Sequence, residues 1–216
     1  MNNESRPLSE LEPPTSVGLY GGSWTEDESR REDLRLMFAE NRLKLNLGSG
    51  PKRFHKKDHI NIDISPACDP DFKLDVENRP MPFETNSVIS AYADNLLEHL
   101  GDLTHFMNEL HRVLRVGGLF WFRVPAVDRF ELLEDDEHNA KGFKKAMQVI
   151  MWGAFRDPTH KTFFCQGTMD YWNHEHPTHR DYGRAYSFLP WHVETKVFHN
   201  PSNGLFFYDV TQVPIK

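Results

Sequence analysis

The sequence predicts an α/β fold with a mostly parallel sheet and helices on both faces. Segments of strand character alternate with helical patterns over residues 43–124, and the connections between them are short. Strands that alternate with helices in this way form parallel sheets whose faces are both covered. The length of 216 residues suits one such domain with a buried core.

Helical periodicity marks two segments clearly. Apolar residues recur at helical spacing in residues 26–41, and residues 101–115 carry a continuous apolar stripe. Gly117 and Gly118 follow the second segment and supply a stop signal. A third helix is predicted around residues 140–151.

Seven segments have the character of β-strands. Isoleucines alternate with polar residues in 59–64, as in a half-buried strand. The run Asn-Pro-Ser-Asn-Gly at 200–204 favours a hairpin, so the sheet should end with an antiparallel pair. The predicted strands are 43–47, 59–64, 72–74, 87–92, 119–124, 192–198 and 205–213.

The domain organisation follows from composition. Residues 1–25 are rich in proline and polar residues, which predicts a flexible N-terminal tail. Residues 26–216 are predicted to form a single domain. The alternation of strand and helix stops at about 126–186, which predicts an inserted segment on the substrate side of the domain.

Charge and composition exclude several classes of protein. The net charge is −7 and the pI is about 5.9, whereas nucleic-acid binders carry a basic surplus, so we expect no nucleic-acid partner. No apolar run is long enough to span a bilayer, and the N-terminus lacks the pattern of a signal peptide. Two cysteines form no disulfide framework. A cytoplasmic protein without a membrane partner is predicted, and its oligomeric state stays open.

A glycine turn follows the first predicted strand. Gly48 and Gly50 let the backbone turn sharply and approach a ligand closely. Ligands of open α/β sheets bind at this carboxyl edge of the strands. Arg53 stands where the dinucleotide fingerprint has its third glycine, which argues against NAD or FAD, and the Gly-Lys-Ser/Thr of phosphate-loop proteins is missing.

Acidic residues mark the ends of the next three strands. Asp63 can accept hydrogen bonds from the two hydroxyls of a ribose, or it can cap the following turn. Asp75 is either an acceptor for an adenine amino group or a second turn residue. Asp94 and Asn95 lie where a substrate would meet a cofactor, unless they cap the next helix.

The order of these pieces resembles the class I S-adenosylmethionine (SAM) dependent methyltransferases, especially the type 11 branch. The resemblance covers residues 40–125 well and the last strand pair loosely. The motifs that carry it are LNLGSG (45–50), NIDIS (61–65), LDVEN (74–78), ADNLLEHL (93–100) and ELHRVLRVGGLFWFRVP (109–125).

The resemblance implies a Rossmann-like seven-stranded sheet with an antiparallel last strand, and SAM as the cofactor. It implies that the two glycines shape the pocket for methionine, that Asp63 holds the ribose and that Asp75 lies by the adenine. Asn46 replaces the acidic residue of many members. The implied cofactor-binding residues are Asn46, Gly48, Ser49, Gly50, Asp63, Ile64, Asp75, Val76, Asp94 and Asn95.

Acceptor chemistry is predicted in the inserted segment. The sequence Arg-Asp-Pro-Thr-His-Lys at 156–161 is similar to a motif that members of the type 11 branch often carry there. His160 is the candidate general base because imidazole is the side chain that most often takes up a proton near neutral pH. Asp157 and His99 are the other catalytic candidates. The alternative is that His160 only orders a loop.

A second group of histidines invites a metal site. His174, Glu175, His176 and His179 are close in sequence, but no second ligand cluster at standard spacing accompanies them. A solvated loop is the favoured interpretation, so no metal is predicted.

The predicted function is methyl transfer from SAM to an oxygen or nitrogen atom of a small molecule or saccharide. Two alternatives remain open: an aminopropyl transferase of the same fold, and a non-catalytic SAM-binding or interaction module. The presence of both cofactor glycines favours the methyltransferase.

Overall fold

The computed structural model describes residues 23–129, 147 and 150–216. This part of the chain contains eight strands and two α-helices, joined by several short helical turns. The strands are β1 (Ser23–Trp24), β2 (Leu43–Leu47), β3 (Ile60–Asp63), β4 (Phe72–Lys73), β5 (Val88–Asp94), β6 (Leu114–Pro125), β7 (Trp191–Asn200) and β8 (Leu205–Pro214). The helices are α1 (Glu28–Ala39) and α2 (Leu103–Val113).

All eight strands form one sheet in the order β1-β4-β3-β2-β5-β6-β8-β7. The strands β4, β3, β2, β5 and β6 run parallel, and β8 lies antiparallel to both of its neighbours. The predicted α/β class, the mostly parallel sheet and the antiparallel last strand are confirmed. The sheet has eight strands rather than seven because Ser23–Trp24 adds an antiparallel edge to β4.

The transition from α2 to β6 also differs in detail from the prediction. The strand begins at Leu114, directly after the helix, rather than at residue 119. Its pairing with β5 shifts between Val88, which faces Leu114, and Ser90, which faces Leu119. Gly117 has a φ of 71°, so the glycine pair forms a bulge inside the strand.

Both described helices pack on the same face of the sheet. Phe38 of α1 stacks on Phe83 and meets Trp24 edge-on at 5.8 Å between ring centroids. Phe106 of α2 meets Phe120 of β6 at 6.1 Å. These contacts close the apolar core, whose members are nearly free of solvent exposure.

The opposite face, here called the open face, carries Tyr92, Trp121, Arg123 and Asp209. All four are half-buried, Tyr92 stacks on Trp121 at 4.4 Å, and Arg123 forms an ion pair with Asp209. Neither α1 nor α2 covers this face, and most of the helix predicted around 140–151 lies outside the described residues. Residues 48–59, which connect β2 to β3, are too few for a full crossover helix and form only the short turn Lys52–Phe54.

A buried polar network ties α1 to the sheet. Asp71 is 5% exposed and accepts hydrogen bonds from Arg30 Nε and Nη2, both at 2.7 Å. The same carboxylate accepts from the backbone N–H and side-chain amide of Asn61, also at 2.7 Å. This carboxylate therefore joins the helix, β3 and the start of β4 at one point.

We expect Asp71→Asn to lower the free energy of unfolding by about 2–3 kcal/mol, because Arg30 and Asn61 would lose charged acceptors in a buried site. Denaturant unfolding measures this loss. Glu32→Gln is the matched control, since Glu32 pairs with Arg35 in an exposed contact worth less than about 0.5 kcal/mol. Equal losses in the two variants would contradict a structural role for the network.

Some predictions fall outside the described residues. They are the predicted tail, apart from residues 23–25, and most of the predicted helix at 140–151. Of that helix, the described Met147 and Ile150 are helical, and the turn Met151–Phe155 follows. Beyond it, Phe164 and Trp172 of the inserted segment are buried in the main core.

Candidate active site

The glycine turn after β2 is held in one conformation. Gly48 and Gly50 have φ angles of 60° and 62°, which side chains rarely adopt. A Cβ atom on Gly48 would lie 2.8 Å from Leu96 Cδ1. The Ser49 N–H donates to the Ile62 carbonyl at 2.9 Å, so the turn is tied to the neighbouring strand.

Asp63 at the end of β3 fixes the same turn through its side chain. Its Oδ2 accepts from the Gly50 N–H at 2.9 Å, and its Oδ1 accepts from the Ser65 N–H at 2.8 Å. An ionised carboxylate has about four acceptor positions, so two backbone bonds leave capacity for a ligand. The carboxylate is thus held in place, half-buried, with acceptor positions to spare.

A cavity of about 280 Å³ lies against this turn at the carboxyl edge of the sheet. Its wall is partly apolar, with Leu74, Leu96 and Leu100. Six of the predicted cofactor residues line it: Gly48, Asp63, Ile64, Asp75, Val76 and Asn95. The side chain of Ile64 is 59% exposed, so it offers an apolar surface to a flat ring.

Asp75 closes a turn as well as lining the cavity. Its Oδ1 accepts from the backbone N–H groups of Glu77 and Asn78, and its Oδ2 accepts from the Asn78 side chain at 2.9 Å. Asp75 is therefore a turn residue, as one prediction had it, and it also lies at the cavity where the other prediction would place an adenine acceptor. The turn bonds hold the carboxylate in place beside the cavity.

A second cavity, of about 490 Å³, adjoins the first. Asn95 and His99 line both cavities, so ligands in the two would be neighbours. The wall of the second cavity comes largely from the inserted segment, through Trp152, Arg156 and His160. We refer to these as the cofactor cavity and the acceptor cavity.

Known proteins resemble the matched part of this chain. A family model described as a methyltransferase domain, type 11, matches residues 45–122. The match begins in β2 and ends in β6, so it includes the glycine turn, Asp63 and the residues shared by the two cavities. Residues 45–122 of the chain are therefore a methyltransferase domain. SAM is its cofactor, and the glycine turn with Asp63 beside the cavity fits that molecule.

Several solved structures are similar to this chain at low sequence identity. A SAM-dependent methyltransferase from Mesorhizobium loti is 14% identical, with a TM-score of 0.49 over 86% of this chain and 97% of that chain. The YcgJ protein of Bacillus subtilis is 10% identical, with a TM-score of 0.47 over 86% and 99%. A Burkholderia thailandensis 1,6-didemethyltoxoflavin N1-methyltransferase is 14% identical, with a TM-score of 0.48 over 88% and 80%. No curated protein matches the chain.

Two predicted cofactor residues of the methyltransferase have other partners. The Asn46 side chain is 3% exposed and donates to Asn61 Oδ1 at 2.9 Å. The Asp94 carboxylate accepts from the Tyr92 hydroxyl at 3.2 Å and from the Asn95 amide at 2.9 Å. Neither residue lines the cofactor cavity, and their roles in binding stay predictions.

Ser49 and Gly50 contribute to the turn rather than to the cavity wall. The Ser49 side chain lies 3.5 Å from His55 Nε2, and Ser49 as a whole is 4% exposed. Gly50 offers its N–H to Asp63. Their predicted contribution to cofactor binding is thus indirect in this structure, through the conformation of the turn.

The three predicted catalytic residues lie together at the acceptor cavity. His160 Nδ1 lies 2.6 Å from the Ala154 carbonyl oxygen. A carbonyl only accepts, so Nδ1 carries the proton and Nε2 of the neutral ring is an acceptor. The His99 and His160 rings are 4.8 Å apart and nearly perpendicular.

A hydrogen-bond chain connects Asp157 to His99. The Thr159 hydroxyl donates to Asp157 Oδ1 at 2.6 Å and lies 2.9 Å from His99 Nδ1. Because the hydroxyl proton goes to the carboxylate, Nδ1 of His99 is the donor in the second bond. The bonds from Thr159 lower the pKa of Asp157, and burial followed by the proximity of His160 lowers the pKa of His99.

Sequence reasoning did not single out Glu98. This residue is 2% exposed and lines the acceptor cavity, and neither carboxylate oxygen has a hydrogen-bond partner among the described residues. Burial, together with the charges of Asp94 and Asp157, raises its pKa to about 8. Glu98 is part of the motif ADNLLEHL at 93–100, but nothing in that motif predicts that its side chain is buried.

The described part of the methyltransferase contains no helix with the length and apolar character needed to cross a membrane. The cytoplasmic location stays a prediction.

Proposed function

We propose that the enzyme methylates an oxygen or nitrogen atom of a small molecule or saccharide that binds in the acceptor cavity. The observation that carries the proposal is the wall shared by the two cavities through Asn95 and His99. Methyl transfer needs close approach and alignment of the two reactants, and adjoining cavities provide both. The net charge of −7 argues against a nucleic-acid acceptor.

The lining of the acceptor cavity suits a polar molecule with an apolar surface. Trp152 is 60% exposed, and the Arg156 guanidinium lies 4.5 Å from the centroid of its ring. Phe207 adds a second aromatic side chain, and Asp157 adds an acceptor. A few polar groups on an aromatic wall are typical of small-ligand sites.

We assign the general base to His160 within this proposal. Bound SAM supplies a methyl group on a positively charged sulfur. His160 Nε2 is the acceptor nitrogen of a ring whose Nδ1–H is held by the Ala154 carbonyl, so it can take a proton from an acceptor hydroxyl or ammonium group. Asp157, through Thr159, positions the His99 ring beside it.

Calorimetry with S-adenosylhomocysteine and a transfer assay with radiolabelled SAM test the proposal together. We expect micromolar binding by the wild type, and label transfer to a member of a panel of small alcohols, amines and saccharides. Transfer to RNA or protein, with none to the panel, would overturn the proposed acceptor class. It would leave the cofactor site intact.

We expect His160→Ala to lower kcat by about 10²-fold with little change in S-adenosylhomocysteine affinity, because a general base typically contributes at least that factor. His105→Ala is the matched control, since His105 lies at the start of α2 and does not line the acceptor cavity. Unchanged turnover in His160→Ala, measured once an acceptor is known, would exclude His160 as the base.

A further inference from the structure

The carboxyl group of Glu98 is an unusual feature of the acceptor cavity. It is buried in the wall and has no hydrogen-bond donor among the described residues. A buried carboxylate is costly unless it is paired, protonated or bound to a metal ion. The described residues provide no partner for this carboxyl group, so a bound proton or a metal ion would have to compensate for its burial.

Two histidines bring potential ligand atoms close to this carboxylate. One oxygen of Glu98 and one nitrogen each of His99 and His160 lie within 4.8 Å of one another. Bonds of about 2.1 Å from a metal to oxygen or nitrogen ligands place those ligands at most about 4.2 Å apart. A side-chain adjustment of less than about 1 Å would bring all three onto one ion.

The outer contacts of both histidines match those of ligating imidazoles. His160 donates its Nδ1–H to the Ala154 carbonyl, and His99 donates its Nδ1–H to Thr159, which in turn donates to Asp157. Histidines that bind metals almost always use the second ring nitrogen in this way, which fixes the ring and its tautomer. In both rings Nε2 remains as the acceptor nitrogen.

We propose that Glu98, His99 and His160 bind one divalent transition-metal ion in the wall of the acceptor cavity. Two imidazoles and one carboxylate are a ligand set for zinc, iron, manganese or cobalt, and three protein ligands leave positions open for water or substrate. The open positions would be available to a hydroxyl of the acceptor.

The consequence for catalysis depends on the proposed function, whereas metal binding itself does not. A bound ion lowers the pKa of an oxygen ligand and so favours loss of its proton. In the metal-bound protein His160 would be a ligand, and the ion would take over the part in deprotonation that we assign to His160 in the metal-free site. An acceptor whose oxygen reaches the ion would be favoured over one that offers only an amine.

A titration of the chelator-treated full chain with zinc(II), against a fluorescent zinc indicator, tests the site. We expect one equivalent to bind with submicromolar affinity, and Glu98→Gln to weaken binding at least tenfold. Glu175→Gln is the matched control, because the exposed Glu175 belongs to a separate group with His174 and His192 and its substitution should leave the tight site unchanged. Cobalt(II) absorption, lost in Glu98→Gln, reports the same ligands.

Far-ultraviolet circular dichroism checks that Glu98→Gln is folded, and His99→Asn provides a second ligand variant with the same expected loss. The proposal is overturned if the wild type binds no zinc, if both ligand variants bind as the wild type does, or if the loss occurs in Glu175→Gln instead. Methyl transfer by a protein that binds no metal would overturn this proposal while supporting the proposed function.

Discussion

Asp63→Ala is expected to lower the affinity for S-adenosylhomocysteine by about 10²–10⁴-fold. Hydrogen bonds to a charged acceptor contribute about 1.5–3 kcal/mol each, and a ribose offers two hydroxyl donors. The carboxylate lies in the cofactor cavity and is already oriented by the N–H groups of Gly50 and Ser65. Its loss therefore removes two ligand contacts and loosens the turn. Calorimetry at 25 °C measures the change.

Two variants separate these effects. Asp63→Asn keeps one side-chain oxygen for the backbone but removes the charge. Its affinity for S-adenosylhomocysteine should therefore fall between those of the wild type and Asp63→Ala. Asp75→Ala should lower the affinity for S-adenosylhomocysteine less than Asp63→Ala does, because the Asp75 carboxylate already accepts hydrogen bonds from Glu77 and Asn78 in its own turn. Binding by folded Asp63→Ala within threefold of the wild type would exclude Asp63 as the ribose acceptor.

Local periodicity was enough to predict the central sheet. The strands β2, β3, β5 and β6 and the final hairpin each carry their own apolar pattern and turn residues, so short windows of sequence identify them. The edge strand β1 has only two residues, and it forms by pairing Ser23 with Lys73. A contact between positions so far apart leaves no periodic signal.

The two described α-helices share one face of the sheet, whereas the alternation of strands and helices predicted cover on both faces. The connection between β2 and β3 holds only the short turn Lys52–Phe54. Lys56 lies over the ring of Tyr92 at 3.9 Å, so a single side chain covers part of the open face where a helix would otherwise pack.

Position along the strand explains which of the predicted cofactor residues line the cavity. Gly48 and Asp63 lie at strand ends, where the cavity of a parallel sheet is expected. Asn46 lies inside β2, two residues before Gly48, and its register partners Asn61 and Tyr92 lie on either side of it. Its side chain is therefore enclosed by the neighbouring strands and does not reach the cavity.

The acceptor cavity depends on contacts across long stretches of chain. His99 follows β5 and His160 belongs to the inserted segment, yet their rings are neighbours. The motif at 156–161 predicted catalytic residues for only that wall of the acceptor cavity that the inserted segment forms. The backbone N–H groups of Lys161 and Thr162 both donate to the Glu98 carbonyl, so the inserted segment is tied to the chain at Glu98.

Gly48→Ala is expected to lower the free energy of unfolding by about 2–5 kcal/mol. A left-handed backbone costs a residue with a Cβ about 1–2 kcal/mol, and overpacking adds about 1–3 kcal/mol. The added atom would lie 2.8 Å from Leu96, whose side chain lines the cofactor cavity. Displacing Leu96 into that cavity should also weaken S-adenosylhomocysteine binding. Denaturant unfolding and calorimetry measure the two effects.

Gly117→Ala isolates the backbone contribution, because Gly117 has a φ of 71° and nothing within 4 Å of an added Cβ. We expect it to cost only about 1–2 kcal/mol and to leave cofactor binding unchanged. In the double variant Gly48→Ala with Leu96→Ala the clash is absent, so the combined loss should be smaller than the sum of the single losses. Equal losses of unfolding free energy in Gly48→Ala and Gly117→Ala would show that the Leu96 side chain moves away from the added Cβ without an energetic penalty. The glycine would then be needed for the conformation of the turn and not for the space beside the cofactor.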